Sequence, residues 1–236
     1  MMLKLIKLEW KKNNIGKYIR DALILTGVLC LFLFVLAFLG IANDPDTGVP
    51  DAAPGNNTIS APIELFTSMA FLVFTGIMLS AFIVSAYKNK TINIMFSYPI
   101  KRQKILVAQM LAVWIFGFAA LVTAKLTAYG CIVLGSRFME SAFPIDFDMT
   151  GGNFYIQVLA KSFVTVTMSF IALFVGLAMK SSKAVIVTSF LLIVLTQGNV
   201  GDFTMADNTV FPVVLTTVSL ICGCLSLRGI ERRDVM

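Results

Sequence analysis

Long windows without a single charged residue constrain this chain more than any other feature. Residues 65–87 run for 23 positions and residues 105–124 for 20 with no Asp, Glu, Lys or Arg. At about 1.5 Å of rise per residue, each window is long enough as a helix to cross the roughly 30 Å hydrocarbon core of a bilayer. Reading along the chain gives six apolar runs, 22–42, 65–87, 105–135, 154–179, 184–198 and 209–227. The fifth is the shortest at 15 residues and reaches a spanning length only by taking in Asn199, Val200 and Gly201. A re-entrant or broken helix is the alternative there. With 58% apolar and only 14% charged residues, the chain is suited to lipid as its solvent. The expected fold is all-α: a polytopic membrane protein with six transmembrane helices in one domain over 1–236.

The charges orient these spans. Of 19 Lys and Arg, 16 lie in four places. They are the amino-terminal segment (Lys4 to Arg20), the segment 88–104, the turn holding Lys180 and Lys183, and the carboxyl end (Arg228, Arg232, Arg233). The alternating segments hold nine of the 13 acids, among them Asp44, Glu64, Glu140 and Asp202, with Arg137 as their loop cation. By the positive-inside bias, both termini are expected in the cytoplasm. The net charge of +6 is a signature of that topology, and no nucleic-acid partner is expected from it. The 22–42 run is too long for the apolar region of a cleaved signal peptide, so it is expected to remain as a span.

Before that span, Leu3, Ile6 and Trp10 recur at helical spacing, with Lys4, Lys7 and Lys11 repeating the pattern one residue later. An amphipathic helix within 1–20, lying on the inner membrane surface, is the expectation. Leu5 and Leu8 fall off its apolar edge. Asn, Asp, Gly and Pro crowd residues 43–62, which suits an outer cap without long elements.

Several chemistries are excluded by what the chain lacks. It has no histidine, which removes His-based general bases, Ser-His dyads and the common zinc motifs. Cys30, Cys131, Cys222 and Cys224 all fall in apolar runs and are expected as small buried hydrophobes. Cys222 and Cys224, two apart, would point away from each other on a helix. Glu64, Asp21 and Asp202 sit at the edges of spans, so paired-carboxylate catalysis is not expected. No phosphate-binding G-x-x-x-x-G-K-[ST] occurs, so the chain cannot cradle a nucleotide by that loop. No catalytic residue, metal site or cofactor of its own is expected.

The segment 88–104 is basic and aromatic: five of its 17 residues are Lys or Arg and none is acidic. Ile92, Met95 and Phe96 stand at i, i+3 and i+4 and would form one apolar face of a short helix. Tyr98 before Pro99 would end it, because Pro pushes the preceding residue out of the α region. Lys101, Arg102 and Lys104 are placed to meet lipid phosphates or an acidic protein rim. A knob of this kind suits a protein groove.

Six spans, a basic amphipathic start, and the stretch Thr-x7-Pro-Ile-x-Arg after the second span (Thr91, Pro99, Ile100, Arg102) together resemble the permease subunits of ABC-2 type transporters. The likeness covers essentially the whole chain. It departs at Lys88 and Lys90, where many members carry an acidic residue and a glycine. The resemblance implies a coupling helix between spans two and three, with Thr91, Ile92, Met95, Phe96, Tyr98, Pro99 and Arg102 contacting a separate cytoplasmic ABC ATPase. That subunit would hold ATP and Mg. It further implies a second permease, identical or not, a place in the bacterial plasma membrane, and outward movement of an amphipathic or hydrophobic cargo, for which an antimicrobial or toxin-like peptide is the first expectation. The alternative is a non-transporting membrane scaffold or immunity protein that binds a peptide or partner helix without an ATPase.

Lys125 and Lys161 interrupt the third and fourth runs near their outer ends. Charges in spans are functional candidates, so both could line a cargo path. Snorkelling of long stems to the outer headgroups is the favoured expectation.

Overall fold

The computed structural model describes residues 2–38, 59–84, 102–138, 147, 149–197, 199–200, 203–204 and 210–233. These residues form helices α1 (Met2–Lys12), α2 (Ile15–Phe38), α3 (Ser60–Leu79), α4 (Arg102–Phe138), α5 (Gly152–Ala178), α6 (Ser182–Gln197) and α7 (Val210–Arg233). The only strands among the described residues, β1 (Asn199–Val200) and β2 (Phe203–Thr204), pair antiparallel, with Asn199 opposite Thr204. Each apolar run thus contains or overlaps one helix from α2 to α7.

Element boundaries follow local chemistry. Asn13 and Asn14 separate α1 from α2, and Asn14 takes a φ of 49°, a left-handed conformation that Asn tolerates better than bulkier residues. Helix α3 starts at Ser60 and includes Pro62; the first turn has no internal use for the missing N–H. Residues 60–62 therefore belong to the helix, whereas the loop was expected to extend to 62. At its other end α3 continues into a π-helical turn, Ser80–Val84, in which Phe82, Ile83 and Val84 are buried. Between α5 and α6 the chain reverses at Lys180, also at φ 49°.

Helices α3 and α5 form the centre of the bundle. Helices α4 and α6 each pack against both, α2 packs along α4, and α7 packs along α5. Small residues permit the closest crossings. A Cβ on Gly76 would collide with Ser189, one on Gly117 with Thr75, and one on Gly176 with Val185, so these glycines let α3, α4, α5 and α6 approach closely. Buried hydroxyls return their hydrogen bonds to their own helices, as Thr75 Oγ1 does to Phe71 O at 2.9 Å and Ser189 Oγ to Val185 O at 2.9 Å. Polar groups in the interior are thereby satisfied without water.

The exterior is as apolar as the interior. Leu23, Val28 and Leu31 of α2, Val187, Leu191 and Val194 of α6, and Val213 and Ile221 of α7 are all exposed. Apolar surface on this scale has lipid as its natural solvent. Four helical segments, Ile15–Phe38, Ser60–Val84, Lys104–Arg137 and Gly152–Ala178, are long and apolar enough to cross a membrane, while Ser182–Thr196 and Pro212–Leu227 are apolar but shorter. The chain is a helical, membrane-embedded protein.

The fifth run differs from expectation in one respect. Its helix stops at Gln197, and Asn199 and Val200 do not lengthen it, because they pair with Phe203 and Thr204. Gly198 follows the last helical residue, where a helix commonly ends. At 16 residues, α6 extends about 24 Å.

Candidate functional site

The second turn of α3 and the carboxyl-terminal half of α4 meet around a charge pair. Lys125 and Tyr129 are four apart on α4, so both side chains fall on the face turned toward α3 and the start of α5. Lys125 Nζ lies 2.7 Å from Glu64 Oε2. Tyr129 donates its hydroxyl to Glu64 Oε1 at 3.3 Å. The Lys125 side chain is 0% exposed and that of Glu64 is 16% exposed, which leaves the carboxylate as the edge of the pair nearer the surroundings.

Aromatic rings wall the site. Tyr129 meets Phe147 and Phe154 edge-to-face, with centroids 4.7 and 4.9 Å apart. Ile59, Ile63, Ile132 and Val158 complete an apolar cluster at this end of the bundle. In such surroundings two ions are costly to desolvate, and only close geometry and further hydrogen bonds offset that cost. The short contact and the Tyr129 hydroxyl supply both. The site therefore brings one ammonium and one phenol hydroxyl to a single carboxylate. Lys161 of α5 is exposed.

The snorkelling expectation fails for Lys125. Its ammonium turns inward because Glu64 offers a carboxylate 2.7 Å away on the neighbouring helix. From the sequence Glu64 reads as an acid at the edge of a span, and Tyr129 carries no signal of its own. The available signal was positional: Glu64 immediately precedes run two and Lys125 lies 21 residues beyond Lys104, so consecutive antiparallel spans carry opposite charges at one end.

A second arrangement lies at the opposite end of α4. Trp10 Nε1 donates to Ala112 O at 3.1 Å, and Ile6 packs against Ala108 and Ala112, with Leu5 and Leu111 alongside. Helix α1 is therefore docked on α4 by its Ile6 and Trp10 edge. Leu3, expected on that edge, is 78% exposed, and Leu5 takes part instead. Glu9 is buried beside this contact, where its carboxylate accepts from Asn13 Nδ2 at 3.4 Å and lies 3.9 Å from Lys12.

Of the expected coupling residues, Thr91, Ile92, Met95, Phe96, Tyr98 and Pro99 lie outside the described residues, and Arg102 opens α4. Of the expected site residues that are described, Lys125 lies on α4 and Lys161 on α5, and Arg102 begins the helix that carries Lys125. The cysteines are less enclosed than expected, with Cys30, Cys131 and Cys222 half-buried and Cys224 exposed. Among the described residues no group of three or more Cys, Asp or Glu could hold a metal ion.

No family model matches the chain, and no solved structure matches it. The uncharacterized protein YcbO of Bacillus subtilis (strain 168) is 25% identical over 235 residues, a match that covers 98% of this chain and 100% of YcbO.

Proposed function

We propose that this chain is the permease subunit of an ATP-driven ABC exporter of the ABC-2 type. The observation that carries the proposal is the Thr91 to Arg102 stretch between two of the long apolar helices, α3 and α4, with its Met, Phe and Tyr side chains and surrounding cations. In this reading α2 to α7 are six spans, both termini and the 88–104 segment face the cytoplasm, and the protein resides in the bacterial plasma membrane. A separate ATPase binds ATP and Mg and receives Ile92, Met95, Phe96 and Tyr98 in a groove. The chain itself performs no catalysis.

The bundle offers a physical route for coupling. The segment joins the π turn Ser80–Val84 to the first turn of α4, and π turns recur where helices must adjust at functional sites. Displacement of the segment by the ATPase would act on α3 and α4 together, since those helices pack on each other. At their far end they carry Glu64 and Lys125. That pair holds the outer end closed, and separation of α3 from α4 exposes Glu64 and Lys125 to a charged group on an amphipathic cargo, with Lys161 already exposed on α5. Two permeases enclose the path, and a short amphipathic peptide is the cargo best suited to its apolar walls and small outer loops.

The deciding experiment is gentle purification of the tagged chain from its native host, followed by mass spectrometry. A P-loop ATPase recovered in about equal amount supports the proposal. Its reproducible absence from folded protein would replace it with the scaffold or immunity role.

A further inference from the structure

The amino-terminal sequence offers an apolar edge to a membrane, yet in the folded chain that edge belongs to protein. Ile6 packs against Ala108 and Ala112 of α4, and Trp10 Nε1 donates to Ala112 O. The side of α1 turned away from this contact carries Lys4, Lys7 and Lys11, which stand at i, i+3 and i+7 and so share one stripe about 10 Å long. All three are exposed, and none joins an ion pair among the described residues. Leu3 and Leu8 flank the stripe and are 78% and 62% exposed. The one acid among residues 2–20, Glu9, is buried on the docked side, so no carboxylate of α1 faces the stripe. Helix α1 docks within the first three turns of α4, and the exposed apolar side chains of α2 begin just after it, at Ile19 and Leu23. The stripe therefore lies at the rim of the lipid-facing surface, where headgroups meet the protein.

We infer that the Lys4, Lys7 and Lys11 face of α1 is a binding surface for the phosphate headgroups of anionic phospholipids in the bilayer around the bundle. Clustered Lys side chains next to an apolar span suit such headgroups. Leu3 and Leu8, on either side, are placed to enter the acyl boundary while the ammonium groups stay with the phosphates. Helix α1 is then held between two partners, with α4 on its Ile6 and Trp10 edge and lipid on its cationic face. Lipid bound there opposes the release of α1 from α4. Neither a cargo nor an ATPase enters into this attachment.

The test places the full chain in nanodiscs of phosphatidylcholine alone and of an equal mixture of phosphatidylcholine and phosphatidylglycerol, and follows amide hydrogen exchange across Met2–Lys12. Each cation at an anionic surface contributes about a fivefold preference, so the anionic discs should slow exchange there by about tenfold or more at low salt. High salt should remove the difference, because exposed charges are screened. Lys4→Gln, Lys7→Gln and Lys11→Gln together should exchange alike in the two lipids. Lys4→Arg, Lys7→Arg and Lys11→Arg together should keep the response, since the charge is retained. Equal exchange of the unaltered chain in both lipids would overturn the inference, and so would a triple Gln variant that still responds as the unaltered chain does; either result would point to an acidic protein as the partner of this face.

Discussion

Lys125 of α4 and Glu64 of α3 are 61 residues apart in sequence and 2.7 Å apart in space. Removing one member leaves the other charged and poorly solvated, which costs about 3–5 kcal/mol in a fully buried pair. The partial exposure of Glu64 places Lys125→Met toward the lower part of that range. We expect Lys125→Met and Glu64→Gln each to lower the apparent melting temperature in detergent, followed by fluorescence-detected size-exclusion. The double variant Lys125→Met, Glu64→Leu should lose less than the two single losses added together. Additive losses would show that the two side chains are not coupled.

The crossing of α5 and α6 leaves no room for a methyl group at Gly176, where a Cβ would meet Val185. Gly176→Ala should destabilise the bundle by about 1–3 kcal/mol through overpacking. Val185→Ala in the same chain should recover much of the loss. Failure of the second substitution to recover any stability would place the strain elsewhere.

The proposed ATPase contact makes a sharper demand. Met95→Asp, Phe96→Asp and Tyr98→Asp together should abolish recovery of the ATPase with the tagged chain, because three carboxylates replace the apolar face that enters the groove. The size-exclusion profile of the chain should remain unchanged. An ATPase that still co-purifies in equal amount would show that this segment is not the contact.

Helix α1 depends on a few side chains for its seat on α4. Ile6→Asp puts a charge against Ala108 and Ala112 and should release α1, raising amide hydrogen exchange across Met2–Lys12 by tenfold or more. Trp10→Phe removes only the hydrogen bond to Ala112 O, worth about 1 kcal/mol, and should raise exchange there several-fold. Unchanged protection in both variants would mean that α1 is held by other contacts.

The sequence by itself determined the solvent, the helical class and the places where helices run. Lipid leaves the backbone no hydrogen-bond partner but itself, so uncharged windows such as 65–87 and 105–124 have essentially one way to fold. Their ends were less legible: Pro62 reads as a breaker and sits in the first turn of α3, and Asn199 and Val200 read as helix and form a strand. Which faces meet was left to the tertiary structure. Apolar periodicity cannot assign faces when both core and exterior are apolar, so the docking of α1 and the inward turn of Lys125 were hidden in the sequence. The fate of Lys125 shows the reason. A lone cation in a span has two low-energy solutions, a headgroup or a partner, and only the packing that sets Glu64 beside it decides between them.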